Sequence, residues 1–128
     1  MSLRFKRHYT REEARDLLPQ VRQWLERLQQ LRDQIELYDK QSEPMIQAGD
    51  DIGGQRVNKW IANTTEFKRL MHEFESREIQ VKDLQRGQID FPTLIGDKEA
   101  CLCWEQGEED IRNWHELDSG NAGEQRAS

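Results

Sequence analysis

The residues able to do chemistry gather toward the C-terminal end of the chain. Between Lys82 and Gly123 lie both cysteines, two of the four tryptophans and one of the three histidines. His115-Glu116-x-Asp118, with Glu108 upstream, combines imidazole and carboxylates, the donor types that bind zinc, manganese or non-haem iron. Asp83 and Asp90, from the segments just before, are the further carboxylates that would complete such a site. A divalent metal held by Asp90, His115, Glu116 and Asp118 is one expectation. Two others stay open: His115 and Glu116 bond backbone or each other and pin the C-terminal segment, or they act as an acid–base pair.

Lys82-Asp83-x-x-Arg86-Gly87 is the basic spot of this block. A guanidinium beside a glycine turn can grip a carboxylate or phosphate through two parallel hydrogen bonds; the simpler reading is a turn closed by an Asp83–Arg86 hydrogen bond. Cys101 and Cys103, two apart, fall on one face of a strand, where neighbouring cysteines rarely bridge each other. A reactive thiolate needs a cation or a helix N-terminus beside it. The charge around these two is acidic, so buried inert thiols are expected. Trp104 and Trp114 serve either as pocket walls or as core. His72-x-x-Glu75 is a surface pair with no matching pair in the first helix, and Gly53-Gly54 lacks the strand and the Lys-Ser/Thr of a phosphate loop. The ligand- or partner-binding candidates are therefore Asp83, Arg86, Asp90, Cys103, Trp104, Glu108 and Trp114.

These residues need elements to position them. Thr10-Arg-Glu-Glu13 reads as a capping box. After it Ala14, Leu17, Leu18, Val21, Trp24, Leu25, Leu28, Leu31, Ile35 and Tyr38 recur at helical spacing. Pro19 interrupts the run without shifting its phase, so one bent helix over about residues 11–40 is expected. Pro44, Gly49 and Gly53-Gly54 punctuate a break over residues 41–54. Val57, Trp60, Ile61, Thr64, Phe67, Leu70, Met71 and Phe74 then mark a second helix to about Arg77.

From Glu78 the period falls to two. Ile79 and Val81, then Ile89 and Phe91, then Ala100, Leu102 and Trp104 alternate with polar residues across turns at Gln85-Arg86-Gly87 and Gly96-Asp97-Lys98. That is a three-stranded antiparallel meander. Ile111, Trp114 and Leu117, after the acidic Glu108, Glu109 and Asp110, predict a short C-terminal helix. The basic N-terminal stretch reads as a short strand or extended arm, with His8 a solvated surface group.

Charged residues and apolar residues each make up 34% of the 128-residue chain, which suits a long two-faced helical part with much exposed surface. The net charge of −6 is uneven: residues 97–128 hold nine acidic against three basic groups. A polyanion is repelled there, so nucleic acid is not an expected partner. No apolar run approaches the roughly 20 residues that span a bilayer, so no membrane is expected either. Two closely spaced cysteines and no secretory signal core predict a cytoplasmic protein with reduced thiols.

Taken together, Thr10-x-x-Glu-Ala14 with Leu17-Leu18-Pro19, Lys82-Asp83, Arg86-Gly87, Asp90-Phe91-Pro92, Leu102-Cys103-Trp104, Gly107-Glu108 and Trp114-His115-Glu116 with Asp118 and Gly120 are similar to the family of domain of unknown function 2203, small bacterial proteins. The likeness covers nearly the whole chain and implies no substrate. The family pattern closes with an aromatic after the glycine and an arginine soon after. Asn121 and Glu124 stand in those places here, with Arg126 nearby, which puts an anion-binding role at that point in doubt for this chain.

The expected fold is α+β: a long antiparallel helical hairpin (residues 10–77) packed with a small three-stranded antiparallel meander and a short C-terminal helix (78–120), then a frayed tail (121–128), in one domain. A 30-residue helix is about 45 Å long, more than so small a sheet can cover, so the hairpin is expected to form a homodimer. The expected function is a cytoplasmic binding or interaction module with a ligand or partner edge at the C-terminal block; the alternative is a small metal-dependent enzyme with a His/carboxylate site.

Overall fold

The computed structural model describes residues 3–47, 54–117 and 125–126. Helix α1 spans Arg11–Gln47 and α2 spans Gln55–Glu75. Strands β1 (Gln80–Asp83), β2 (Gln88–Ile95), β3 (Lys98–Glu105), β4 (Asn113–Glu116) and the two-residue β5 (Gln125–Arg126) follow in one antiparallel sheet whose spatial order is the chain order. The α+β hairpin-and-meander expectation holds, with more strands than three.

The capping box closes as its residues dictate. The Glu13 amide donates to Thr10 Oγ1 at 3.1 Å, and the Thr10 amide donates to Glu13 Oε1 at 2.9 Å. From there α1 runs unbroken through Pro19 and Pro44. Each proline forfeits one helical hydrogen bond. Across Pro19 the loss is offset by the continuous seam Ala14, Leu18, Val21, Leu25, Leu28 and Leu31, every one at most 1% exposed. The helix therefore ends seven residues later than Lys40, inside the stretch expected as a break. Positions 48–53, including Gly49 and Gly53, lie outside the described residues.

The α1 seam packs on Leu70 and Phe74 of α2 and on the inner face of the sheet, where Ile89, Phe91, Leu102 and Trp104 are all nearly inaccessible. Side chains alternate across a strand, so these residues leave Asp90, Cys101 and Cys103 on the opposite face. The register matches Ile89 to Trp104, Asp90 to Cys103, Phe91 to Leu102 and Pro92 to Cys101.

The expected C-terminal helix is not formed. Residues 113–116 are strand β4, with Leu102 opposite Trp114 and Cys101 opposite His115. A helix there would have left the outer edge of β3 without partners, and unpaired backbone groups are costly when buried. The acidic residues read as a helix start instead close the turn before β4: Glu108 Oε1 accepts the Glu105 amide at 2.7 Å and Asp110 Oδ1 accepts the Ile111 amide at 2.7 Å. Ile111 is completely buried in the core.

The N-terminal stretch is an arm, not a strand, and two carboxylates hold it. Glu99 accepts the amides of Arg4 and Phe5 and binds His8 Nε2 at 2.8 Å; Glu78 Oε1 accepts the amides of Lys6 and Arg7. His8 is thus not a solvated group: its side chain is only 14% exposed. Beyond it the Tyr9 amide donates to the Pro92 carbonyl, and Thr93 Oγ1 donates to the Tyr9 carbonyl at 2.6 Å.

Gly87, in the β1–β2 turn, has φ +73°, and a Cβ placed there would lie 2.5 Å from Gln106 Cβ and 3.2 Å from Leu25 Cδ2. Gly96, in the β2–β3 turn, has φ +63° with open space around it. Both substitutions to alanine carry left-handed backbone strain, roughly 1 kcal/mol. Gly87→Ala adds overpacking, about 1–3 kcal/mol more. Urea denaturation is expected to show Gly87→Ala as clearly the more destabilised of the two; equal losses would contradict the close approach at Gly87.

Candidate metal centre

Three strands deliver three donors to the outer face of the sheet. Asp90 comes from β2, Cys103 from β3 and His115 from β4, and one ligand atom of each lies within 4.8 Å of the others. All three residues are buried, at 4%, 9% and 8% exposure. His115 Nε2 sits 2.9 Å from Asp90 Oδ2, and Nδ1 sits 2.8 Å from the Glu116 carbonyl.

A carbonyl only accepts, so Nδ1 carries a hydrogen and Nε2 is the nitrogen aimed at Asp90. An ionised carboxylate also only accepts. The Nε2–Oδ2 contact therefore requires a proton, or another cation, between two acceptors. An imidazole whose far N–H is fixed by a backbone carbonyl is the usual orientation of a metal-binding histidine.

The cluster lies in a pocket of about 270 Å³ whose lining includes Lys82, Arg86, Gln88, Glu108 and Asn113. Arg86 Nη2 pairs with Glu105 Oε1 at 3.0 Å, and its amide donates to Asp83 Oδ1 at 2.9 Å. The Asp83–Arg86 turn bond thus forms, and Asp83 stands apart from the three donors. Glu108 lines the pocket with its carboxylate on the Glu105 amide. Trp104 is core at 1% exposure, its Nε1 donating to the Glu108 carbonyl at 2.9 Å, with the Arg22 guanidinium 5.6 Å over its ring. Trp114 packs against the core on the helix side. Glu116 contributes its carbonyl, and its side chain is exposed. Asp118 lies outside the described residues. His72 is exposed on α2.

The structure thus brings Asp90 and His115 together as the sequence suggested, with Cys103 in place of Glu116 as the neighbouring donor. The Asp90–Cys103 juxtaposition was readable in principle. A two-residue turn at Gly96-Asp97 pairs Ile95 with Lys98, and counting back along both strands places Asp90 opposite Cys103. The placement of His115 needed β4, which the helical spacing of Ile111, Trp114 and Leu117 concealed.

An α+β scaffold with a helical hairpin on one sheet face and a buried His/Cys/Asp cluster on the other is the class these observations define. The chain belongs to the family described as uncharacterized conserved protein (DUF2203), whose model matches residues 7–127. Comparison with curated proteins and with solved structures gave no match.

Cys101, directly opposite His115 across β3 and β4, is 2% exposed, and neither cysteine is in a disulfide. Burial first, and the Asp90 charge second, push the Cys101 thiol up to about 12 from its ordinary 9.0. The folded state holds this thiol neutral where the unfolded chain ionises it. Its contribution to stability is therefore complete below about pH 9 and is lost as pH rises toward 12. Tyr9, also raised by burial, acts in the same direction, so the comparison to make is with Cys101→Ala. The variant is expected to show a shallower fall in stability across that range, and Cys101 is expected to resist iodoacetamide in native protein at pH 8. Rapid alkylation of Cys101 there would contradict its burial.

Proposed function

We propose that this protein is a binding module whose outer sheet face holds one divalent transition metal on Asp90, Cys103 and His115. The observation that carries the reading is the fixed imidazole: Nδ1 is tied to the Glu116 carbonyl, and Nε2 is aimed at a second buried acceptor with a thiol beside both. Nitrogen, sulfur and oxygen donors together suit zinc and its neighbours better than magnesium or calcium. Bonds of about 2.0–2.3 Å in tetrahedral geometry separate such donors by about 3.3–3.7 Å. The 2.9 Å N–O contact has to open slightly and the sulfur to draw in, movements within reach of side-chain torsions.

Three protein donors rather than four leave a position open to the pocket, the pattern of sites that engage a ligand rather than only brace a fold. That open position is what supports the rival reading, a small metal-dependent enzyme. A reduced thiol donor fits a cytoplasmic setting, and the acidic C-terminal quarter favours cations over nucleic acid. Among the described residues no helix is long and apolar enough to cross a membrane.

Cobalt(II) added to metal-free protein is expected to bind one equivalent and to show a thiolate charge-transfer band. Cys103→Ser should abolish the band. His115→Ala should weaken binding on the order of 100-fold, at least as much as loss of a residue that only supports a ligand. A tetrahedral spectrum that persists unchanged in Cys103→Ser would rule the site out.

We also propose that the distal hairpin meets a second copy of the chain. Leu37 and Ile61 are 55% and 50% exposed on the part of the hairpin beyond the core seam. Beside them Tyr38 and Trp60, with ring centroids 5.8 Å apart, wall a mostly apolar groove of about 220 Å³. Trp60 Nε1 has no acceptor there among the described residues. Sedimentation equilibrium at tens of micromolar is expected to give a dimer that Leu37→Glu/Ile61→Glu dissociates; a wild-type monomer would refute it.

A further inference from the structure

The side chains around the cluster differ in how fully their charges are satisfied. Arg86 and Glu105 neutralise each other, and Glu105 also accepts Gln88 Nε2 at 3.1 Å. Glu108 is turned onto the Glu105 amide. Asp90 faces His115. Lys82 makes no ion pair among the described residues. Gln80 stands opposite Asp90 across β1 and β2, the pairing is irregular between Val81 and Asp83, and Lys82, within that irregularity, lines the same pocket as Asp90.

From this we propose that the pocket takes a small carboxylate monoanion as the fourth metal ligand, one oxygen on the metal and the other on the Lys82 ammonium. This rests on the metal reading above and names what the open position receives. A divalent ion with the Asp90 carboxylate and the Cys103 thiolate is neutral, and Lys82 and Glu108 cancel over the pocket as a whole; Glu108 is turned onto the Glu105 amide, so the Lys82 ammonium is the charge in the lining still open to an anion. Glu108 in the lining disfavours a second negative charge, so a carboxylate is taken in preference to a phosphate dianion. The volume, about 270 Å³, fits a metabolite of a few heavy atoms. Gln88 and Asn113 supply neutral amides in the same lining, able to hold substituents of the acid.

The experiment uses the cobalt(II)-loaded full chain in a non-coordinating buffer, titrated separately with acetate and with inorganic phosphate at constant ionic strength. Acetate is expected to shift the cobalt d–d bands saturably. Lys82→Met, at an exposed position, is expected to keep the cobalt affinity and the thiolate band while binding acetate about tenfold more weakly, the loss of one charge-assisted hydrogen bond of roughly 1.4 kcal/mol. Equal acetate affinity in Lys82→Met, no spectral response to acetate, or tighter binding of phosphate than of acetate would each overturn the proposal while leaving the metal site standing. Absence of the thiolate band from the wild-type protein would overturn the metal site and this inference with it.

Discussion

The packing of one apolar seam on one face of the sheet is the constraint on which the rest depends. Ala14, Leu18, Val21, Leu25, Leu28 and Leu31 present a continuous surface, and Ile89, Phe91, Leu102 and Trp104 must meet it. Because strand side chains alternate, a slip of one residue in β2 or β3 would put Asp90 or Cys103 into that core and expose an aromatic ring. Burial of an unpaired carboxylate costs several kcal/mol, so the register is strongly specified. The polar cluster on the outer face is thus positioned by hydrophobic residues that never touch it.

This division explains what could be read from the sequence. Both helices, the capping box, the first three strands and their turns follow from local signals: the 3.6-residue recurrence of the α1 seam, the two-residue alternation around Phe91 and Leu102, and the glycines at 87 and 96. Pro19 leaves α1 continuous because the seam keeps its phase across it. The C-terminal segment misled because Ile111, Trp114 and Leu117 satisfy a helical period while Trp114 and His115 also satisfy an alternating one. The choice lay with β3, whose free edge needed a partner, and no local pattern records that need. The burial of His8 is hidden from local sequence for a similar reason: its partner, Glu99, is 91 residues away.

The N-terminal arm shows the same dependence on distant groups. Desolvation opposes ionisation of Glu99, and the Arg4 amide, His8 and the Phe5 amide together outweigh it, so the carboxyl is held below its ordinary range. Glu78, which serves the amides of Lys6 and Arg7, is the described non-glycine residue with a left-handed backbone, φ +59°. Its conformation carries the chain out of α2 with the carboxylate turned toward the arm, so a mildly unfavourable backbone state is retained for two hydrogen bonds.

Asp90 and His115 belong to strands that are not neighbours; β3 runs between them. Their contact is therefore a strap laid over a strand, and it loads the sheet differently from a ladder hydrogen bond. Strand β4 is only four residues long and is flanked on its far side by the two-residue β5 alone, so by length it is poorly held. To peel, it has to separate two buried polar partners as well as its backbone pairs. Fraying at this end of the sheet thus becomes a cooperative event that involves β2, β3 and β4 together.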